Sequence, residues 1–124
     1  MTTLGSFSIS LAVKDIHASK DFYGKLGFEE VGGAIEQHWL ILRNGQTTIG
    51  LFQGMFEANI MTFNPGWDAQ SQPLETFEDV RQIQARLQAQ GITMQKEAET
   101  DGSGPGSFVM VDPDGNAILV DQHV

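Results

Sequence analysis

Alternating apolar and polar positions predict strands along most of the chain. Residues 7–13 alternate apolar side chains with serine and alanine, the period of a strand with one richer apolar face. Asn44-Gly45 and Asp112–Gly115 are typical of tight turns between strands. The further predicted strands are 28–33, 38–43 and 47–53 in the first half, and 58–64, 92–97, 107–111 and 117–122 in the second.

Two segments have a helical period instead. Apolar residues fall near one helical face between Asp15 and Gly27, and glycine suits the left-handed end of a helix. A second apolar stripe runs from position 80 to Gly91. Thr76 and Asp79 have the spacing of a capping box at its start. We therefore expect one helix in each half of the chain.

The two helical segments repeat one phrase. Gly27 follows Asp15 by twelve positions, as Gly91 follows Asp79, and the copies are offset by 64 positions. A repeat of about half the chain is too long for a solenoid, so it predicts two paired modules. Each half is predicted to have the element order β-α-β-β-β. The modules lie at about 6–54 and 57–124, within a single α+β domain of residues 1–124. The junction of such modules is a natural place for a pocket.

Charge and composition limit the partners, the kinds of site and the location that we expect for this chain. The chain has 16 acidic residues against 7 Lys and Arg, a formal charge of −9. That balance argues against nucleic acid and membrane partners, and it suits a neutral or cationic small molecule. The absence of cysteine excludes thiolate metal sites and cysteine nucleophiles. With no signal-peptide pattern and no membrane-length apolar run, we expect a cytoplasmic protein.

Three stretches resemble a known superfamily. Residues 11–16 (LAVKDI) and 21–28 (DFYGKLGF) resemble the opening of vicinal oxygen chelate proteins, and 111–120 (VDPDGNAILV) resembles their last hairpin. This superfamily contains glyoxalase I, extradiol dioxygenases and bleomycin-resistance proteins, and the resemblance covers about 7–122. It implies an α+β fold of two paired βαβββ modules, whose curved sheets enclose a cleft. It also implies a homodimer.

The resemblance places the superfamily's four metal-ligand positions, usually His or Glu, on this chain. They fall on Ser8, on Gly50, on Ala58 or Ile60, and on Leu119. None of these side chains replaces a His–Glu set, so we expect no metal and no cofactor. Asp121 and His123, or His38, could form a relocated metal or acid–base site. No third ligand has the spacing that a metal site requires.

A cavity for a modest organic ligand is then the main candidate site. Small polar groups among aromatic side chains suit such a ligand, and Gly50 would leave room for its approach. Trp39, Phe108 and Met110 could equally be ordinary core, and the long segment 65–75 could be a lid, a binding loop or a dimer contact. The predicted ligand-binding residues are Ser8, Ser10, Trp39, Thr48, Gly50, Phe52, Thr62, Asn64, Trp67, Phe108, Leu119 and Asp121.

The leading hypothesis is a metal-independent protein that binds or sequesters a small cationic or aromatic molecule. Its shape would resemble the bleomycin-resistance branch. One alternative is an enzyme, a lactoylglutathione-lyase-like or other lyase, an isomerase or a dioxygenase-like protein, with a relocated metal or acid–base site. The other alternative is a regulatory module that acts through protein contacts. The sequence assigns no catalytic residue.

Overall fold

The computed structural model describes residues 3–124, which form two compact units. The first unit is Ser8–Ile60, and the second combines residues 3–7 with Met61–Val124. The described residues contain two ten-residue α-helices and seven strands. No helix among them is long and apolar enough to cross a bilayer.

The first unit follows the predicted β-α-β-β-β order. A parallel pairing joins β1 to β4, and β3 pairs antiparallel with both β2 and β4, which gives the order β2-β3-β4-β1. A short 3-10 turn at Ile35–Gln37, which the sequence pattern did not predict, leads into β3. The elements are β1 (Ser6–Val13), α1 (Ile16–Lys25), β2 (Glu29–Ala34), β3 (Trp39–Asn44) and β4 (Thr47–Gln53).

The second unit has one strand fewer than predicted. Its strands lie in the order β5-β7-β6. The elements are β5 (Ile60–Asn64), which begins at the last residue of the first unit, then α2 (Val80–Ala89), β6 (Gly106–Val111) and β7 (Ala117–Gln122).

The strand predicted at 92–97 is wrong. Only an isolated bridge between Lys96 and Val109 forms there. Just beyond this bridge, the buried Gln84 side chain of α2 makes two hydrogen bonds to the main chain of Ala98. Its oxygen accepts from the Ala98 N–H at 2.6 Å, and its amide nitrogen donates to the Ala98 carbonyl at 3.3 Å. Because both main-chain groups of Ala98 bond to a side chain, the bridge cannot extend through Ala98 as a strand ladder.

Aspartate caps the start of both helices. Asp15 accepts hydrogen bonds from the main chain of His17 and Ala18, which satisfies N–H groups that the first helical turn leaves unpaired. In α2 the capping box joins Asp79 to Gln82, so the predicted box between Thr76 and Asp79 is three residues too early. Both helices therefore begin directly after the aspartate of the repeated phrase.

Each helix covers one face of the strands of its own unit. Under α1 the core consists of Ile16 with Leu40, Leu42, Ile49 and Leu51 of β3 and β4. Under α2 it consists of Val80 and Ile83 with the β6 and β7 side chains of Phe108, Met110 and Val120. Alternation along each strand then sends the intervening side chains to the face opposite the helix.

A glutamine at the end of each unit's last strand anchors the helix. Gln53 of β4 accepts a hydrogen bond from the main-chain N–H of Ile16 at 2.8 Å. Gln122 of β7 accepts one from Val80, also at 2.8 Å. Gln122 is 1% exposed, and its amide nitrogen lies within hydrogen-bonding distance of Asp79 Oδ1 and the Gly104 carbonyl.

The replacement Gln122→Leu should lower the free energy of unfolding by about 1–3 kcal/mol, since it leaves the buried N–H of Val80 without an acceptor. Urea denaturation measures the change. Gln46→Leu, in the exposed turn between β3 and β4, is the control and should alter stability by less than about 0.5 kcal/mol. Equal effects of the two substitutions would contradict the anchoring role.

Asp79 should make stability depend on acid pH. Partial burial acts to raise its pKa, but hydrogen bonds from Gln122 and from the main chain and guanidinium of Arg81 outweigh burial and hold the pKa below its usual value. A lowered folded-state pKa contributes stability above the unfolded value of about 3.9, and this contribution is lost as pH falls through the folded pKa.

Asp79→Asn keeps a capping oxygen but removes this titration. The stability advantage of the wild type over Asp79→Asn should therefore be constant above about pH 5 and shrink below about pH 3.9. Urea unfolding at a series of pH values measures the difference. An advantage that stays constant down to pH 2 would contradict the assignment.

Candidate functional site

Six predicted site residues share the sheet face opposite α1 in the first unit. The register pairs Ser8 with Thr48 and Ser10 with Gly50 across β1 and β4. Across β3 and β4 it pairs Trp39 with Phe52. Each of these positions alternates with a core residue that packs on the α1 side. The strands thus bring together Ser8, Ser10, Trp39, Thr48, Gly50 and Phe52.

This face is polar at one end and aromatic at the other. At the aromatic end Trp39 and Phe52 are stacked, with ring centroids 6.3 Å apart and planes 8° from parallel. Phe56 extends the group, with its ring centroid 5.4 Å from that of Phe52. At the polar end Arg43 Nε donates to Thr48 Oγ1 at 3.1 Å. Thr48 and Phe52 are separated by roughly 13 Å along β4, at about 3.3 Å per residue. We call this face the aromatic platform.

Gly50 lies between the two ends and is covered by a neighbour. A Cβ at this position would lie 2.6 Å from Phe52 Cε2 and 3.4 Å from Ile41 Cδ1. The space that the missing side chain leaves is therefore filled by the ring of Phe52, two residues along the same strand. A ligand could reach it only if this ring turned away.

In the second unit, Phe108 does not belong with the other predicted residues. It is fully buried, and with Met110 it packs in the core under α2. Leu119 and Asp121 take the opposite face of β7 by alternation, beside Val109 and Ser107 of β6. Phe108 thus takes the core position that the sequence left open as an alternative, because it lies on the face of β6 that packs against α2.

Three further predicted residues lie in or just after β5, and two of them contact the end of β7. Thr62 and Asn64 of β5 are buried, and Asn64 Nδ2 donates to the main-chain carbonyl of Asp121 at 2.8 Å. The ring of Trp67 stacks on that of His123, with centroids 4.5 Å apart and planes 12° from parallel. His123 Nε2 in turn lies 3.1 Å from Asp121 Oδ2. Trp67, Asp121 and His123 form what we call the second-unit cluster.

The long segment after β5 has internal order. Trp67 pairs with Pro73 in an antiparallel bridge, and the Leu74 N–H donates to the Gly66 carbonyl at 2.7 Å. Within the turn, Asp68 Oδ1 accepts from the main chain of Gln70 and Gln72. The segment is therefore a closed hairpin-like loop that fixes the main chain of Trp67.

A family model matches residues 5–120, nearly the whole chain. The chain belongs to the glyoxalase/bleomycin resistance protein/dioxygenase superfamily. This confirms the resemblance and the α+β fold class that it implied. No curated protein matches the sequence.

Solved structures share the fold at low sequence identity. A superfamily member from Vibrio splendidus is 17% identical with a TM-score of 0.65, and the match covers 94% of this chain and 97% of that one. A protein from Legionella pneumophila described as an NAD-dependent benzaldehyde dehydrogenase is 15% identical with a TM-score of 0.68, over 95% and 99%. A Mn(II)-bound glyoxalase from Novosphingobium aromaticivorans is 18% identical with a TM-score of 0.55, over 96% of this chain and 38% of that one. These likenesses show the fold alone.

The residues present do not fit the divalent metal that the superfamily implies. Ser8 offers one neutral oxygen, Gly50 has no side chain and Leu119 is apolar, whereas such a metal needs about three nitrogen or oxygen ligands. Within residues 3–124, no group of three or more His, Asp or Glu side chains could hold a metal ion. Asp121 and His123 supply only two ligands. His38 lies in the first unit, where its Nδ1 is 3.5 Å from Gln53 Nε2.

Sequence reasoning missed several members of these groups. Arg43 lies on the same face of β3 as Trp39, because side chains an even number of positions apart in a strand share a face. Its place on the aromatic platform could therefore have been predicted. Phe56 follows the end of β4 and has no strand register to place it. The stacking of Trp67 on His123 joins residues 56 positions apart, and no local pattern signals such a contact.

Gly50→Ala should displace the Phe52 ring from Trp39, because the new Cβ overlaps that ring. We expect a change in Trp39 fluorescence and a loss of about 1–3 kcal/mol in unfolding free energy. In a Phe52→Ala background the same substitution should cost markedly less, a coupling that a double-mutant cycle measures. Additive effects of the two substitutions would contradict this packing.

Proposed function

We propose that this chain is a metal-independent protein that binds a small organic molecule on the aromatic platform of its first unit. The observation that carries the proposal is the stacked pair of Trp39 and Phe52, extended by Phe56. Aromatic side chains offer ligands a large, rigid contact area, and offset stacking adds about 0.5–1.5 kcal/mol per ring pair.

The polarity of the platform indicates the class of ligand. Ser8, Thr48 and Arg43 place hydroxyl and guanidinium groups at the end opposite the aromatic rings. An elongated molecule with a flat aromatic part and a polar end would match both ends. The net charge of −9 favours a ligand that is neutral or cationic overall, with any positive charge away from the end that faces Arg43.

The metal-independent part of the proposal rests on the side chains at the superfamily's ligand positions. Ser8, Gly50 and Leu119 cannot form a His–Glu set. We therefore assign recognition to stacking and hydrogen bonding, with no step that passes through a metal ion.

A second candidate function is an acid–base enzyme. It is favoured by the contact between Asp121 and His123, since a carboxylate beside an imidazole orients the ring and fixes its tautomer. Turnover of a bound compound that stops in His123→Gln would favour this candidate over simple binding.

The test is a panel of small aromatic compounds, cationic and neutral, added to the protein while its melting temperature is measured. A specific ligand should raise the melting temperature with increasing concentration. Phe52→Leu should weaken binding about 3- to 10-fold, the value of one lost stacking contact.

The matched control is Phe22→Leu. Phe22 is 59% exposed on α1, away from the aromatic platform, so its loss should leave the affinity unchanged. The proposal fails if no compound raises the melting temperature, or if the two phenylalanine substitutions weaken binding equally.

A further inference from the structure

The second-unit cluster holds an imidazole between an indole and a carboxylate. His123 lies parallel to Trp67 at 4.5 Å and points Nε2 at Asp121 Oδ2 from 3.1 Å. A protonated imidazole is a planar cation with N–H donors at its edge. Trp67 and Asp121 thus present the two contacts that a planar cation requires, an aromatic face and a carboxylate beside it.

Hydrogen bonds hold the main chain of both Trp67 and Asp121 in place. Trp67 donates its N–H to the Asn64 carbonyl at 3.2 Å and accepts at its own carbonyl from the Ser6 N–H at 3.1 Å. Asp121 lies in β7 opposite Ser107, and Asn64 bonds to its carbonyl. The backbone positions from which the indole and the carboxylate extend are therefore ordered before a ligand binds, which lowers the ordering cost of binding.

The imidazole is the part of the cluster that is free to leave. Strand β7 ends at Gln122, so His123 lies outside the ladder. Its side chain is 45% exposed, and that of Asp121 is 33% exposed. Rotation of the His123 side chain would uncover the ring face of Trp67 and the carboxylate without breaking a strand hydrogen bond.

We propose that Trp67 and Asp121 form a binding site for planar organic cations of the amidinium or guanidinium type, and that His123 occupies this site in the ligand-free protein. An amidinium can stack on the indole as the imidazole does and can give the carboxylate two parallel hydrogen bonds where the imidazole gives one. The ligand therefore displaces His123 by making the same contacts in greater number.

This site goes beyond the proposed function, because it lies wholly in the second unit and uses no residue of the aromatic platform. Occupation of this site by His123 lowers its affinity for an external ligand. If His123 fills the site nine-tenths of the time, the apparent affinity for an external cation is about 10-fold below the intrinsic value.

The experiment is a titration of the protein with benzamidine, followed by the NMR signals of its two indole N–H groups. The Trp67 signal and the His123 ring signals should shift together and saturably. Benzamide, which has nearly the same shape but no charge, is the matched control and should cause no saturable shift of the Trp67 and His123 signals. Equal shifts with benzamide would overturn the assignment to cations.

Two variants then test the roles of the residues. His123→Ala should bind benzamidine about 10-fold more tightly than the wild type, because the competing side chain is gone. Asp121→Asn should bind it at least 10-fold more weakly, since a hydrogen bond between charged groups is worth roughly 1.5–3 kcal/mol. Unchanged or weaker binding by His123→Ala would overturn the self-occupied site, as would undiminished binding by Asp121→Asn.

Discussion

The bond from a strand-end glutamine to the first N–H of a helix determines how each unit is arranged. The first turn of a helix leaves N–H groups unpaired, and at Ile16 and Val80 they are buried, where an unpaired donor is costly. Gln53 and Gln122 satisfy them. To do so, each glutamine must face the helix, and strand alternation then sends Phe52 and Asp121, one position earlier, to the opposite face. The same contact that holds the helix thus directs the candidate ligand-binding side chains away from it.

The duplicated scaffold carries different chemistry in its two copies. Both units retain an aspartate cap, a glutamine anchor and an apolar core under the helix. Opposite the helix, the first unit has stacked rings and hydroxyl groups, whereas the second has an indole, an imidazole and a carboxylate. Both sets of side chains suit recognition of organic molecules by stacking and hydrogen bonding. On our account, the superfamily scaffold serves here for binding that needs no metal.

Sequence periodicity predicted most of this scaffold because the determinants are local. The glycine after α1 and the alternation of β1, β3 and β4 are each read within about ten residues. The failures involve contacts between distant residues. The strand predicted at 92–97 is reduced to a bridge between Lys96 and Val109, and directly after it the Gln84 side chain of α2 binds the main chain of Ala98. Phe108 was left open between a cavity and the core because its aromatic character suits either a ligand or a core, and only the position of α2 decides between them.

The central claim is that binding by this protein requires no metal ion. The most direct test is elemental analysis of protein produced in medium supplemented with manganese, iron, nickel and zinc and purified without chelator, combined with binding measurements before and after chelator treatment. Our account predicts far less than one metal ion per chain and the same affinity for a platform ligand in both samples. One tightly bound ion per chain, whose removal abolishes binding and whose return restores it, would contradict the account.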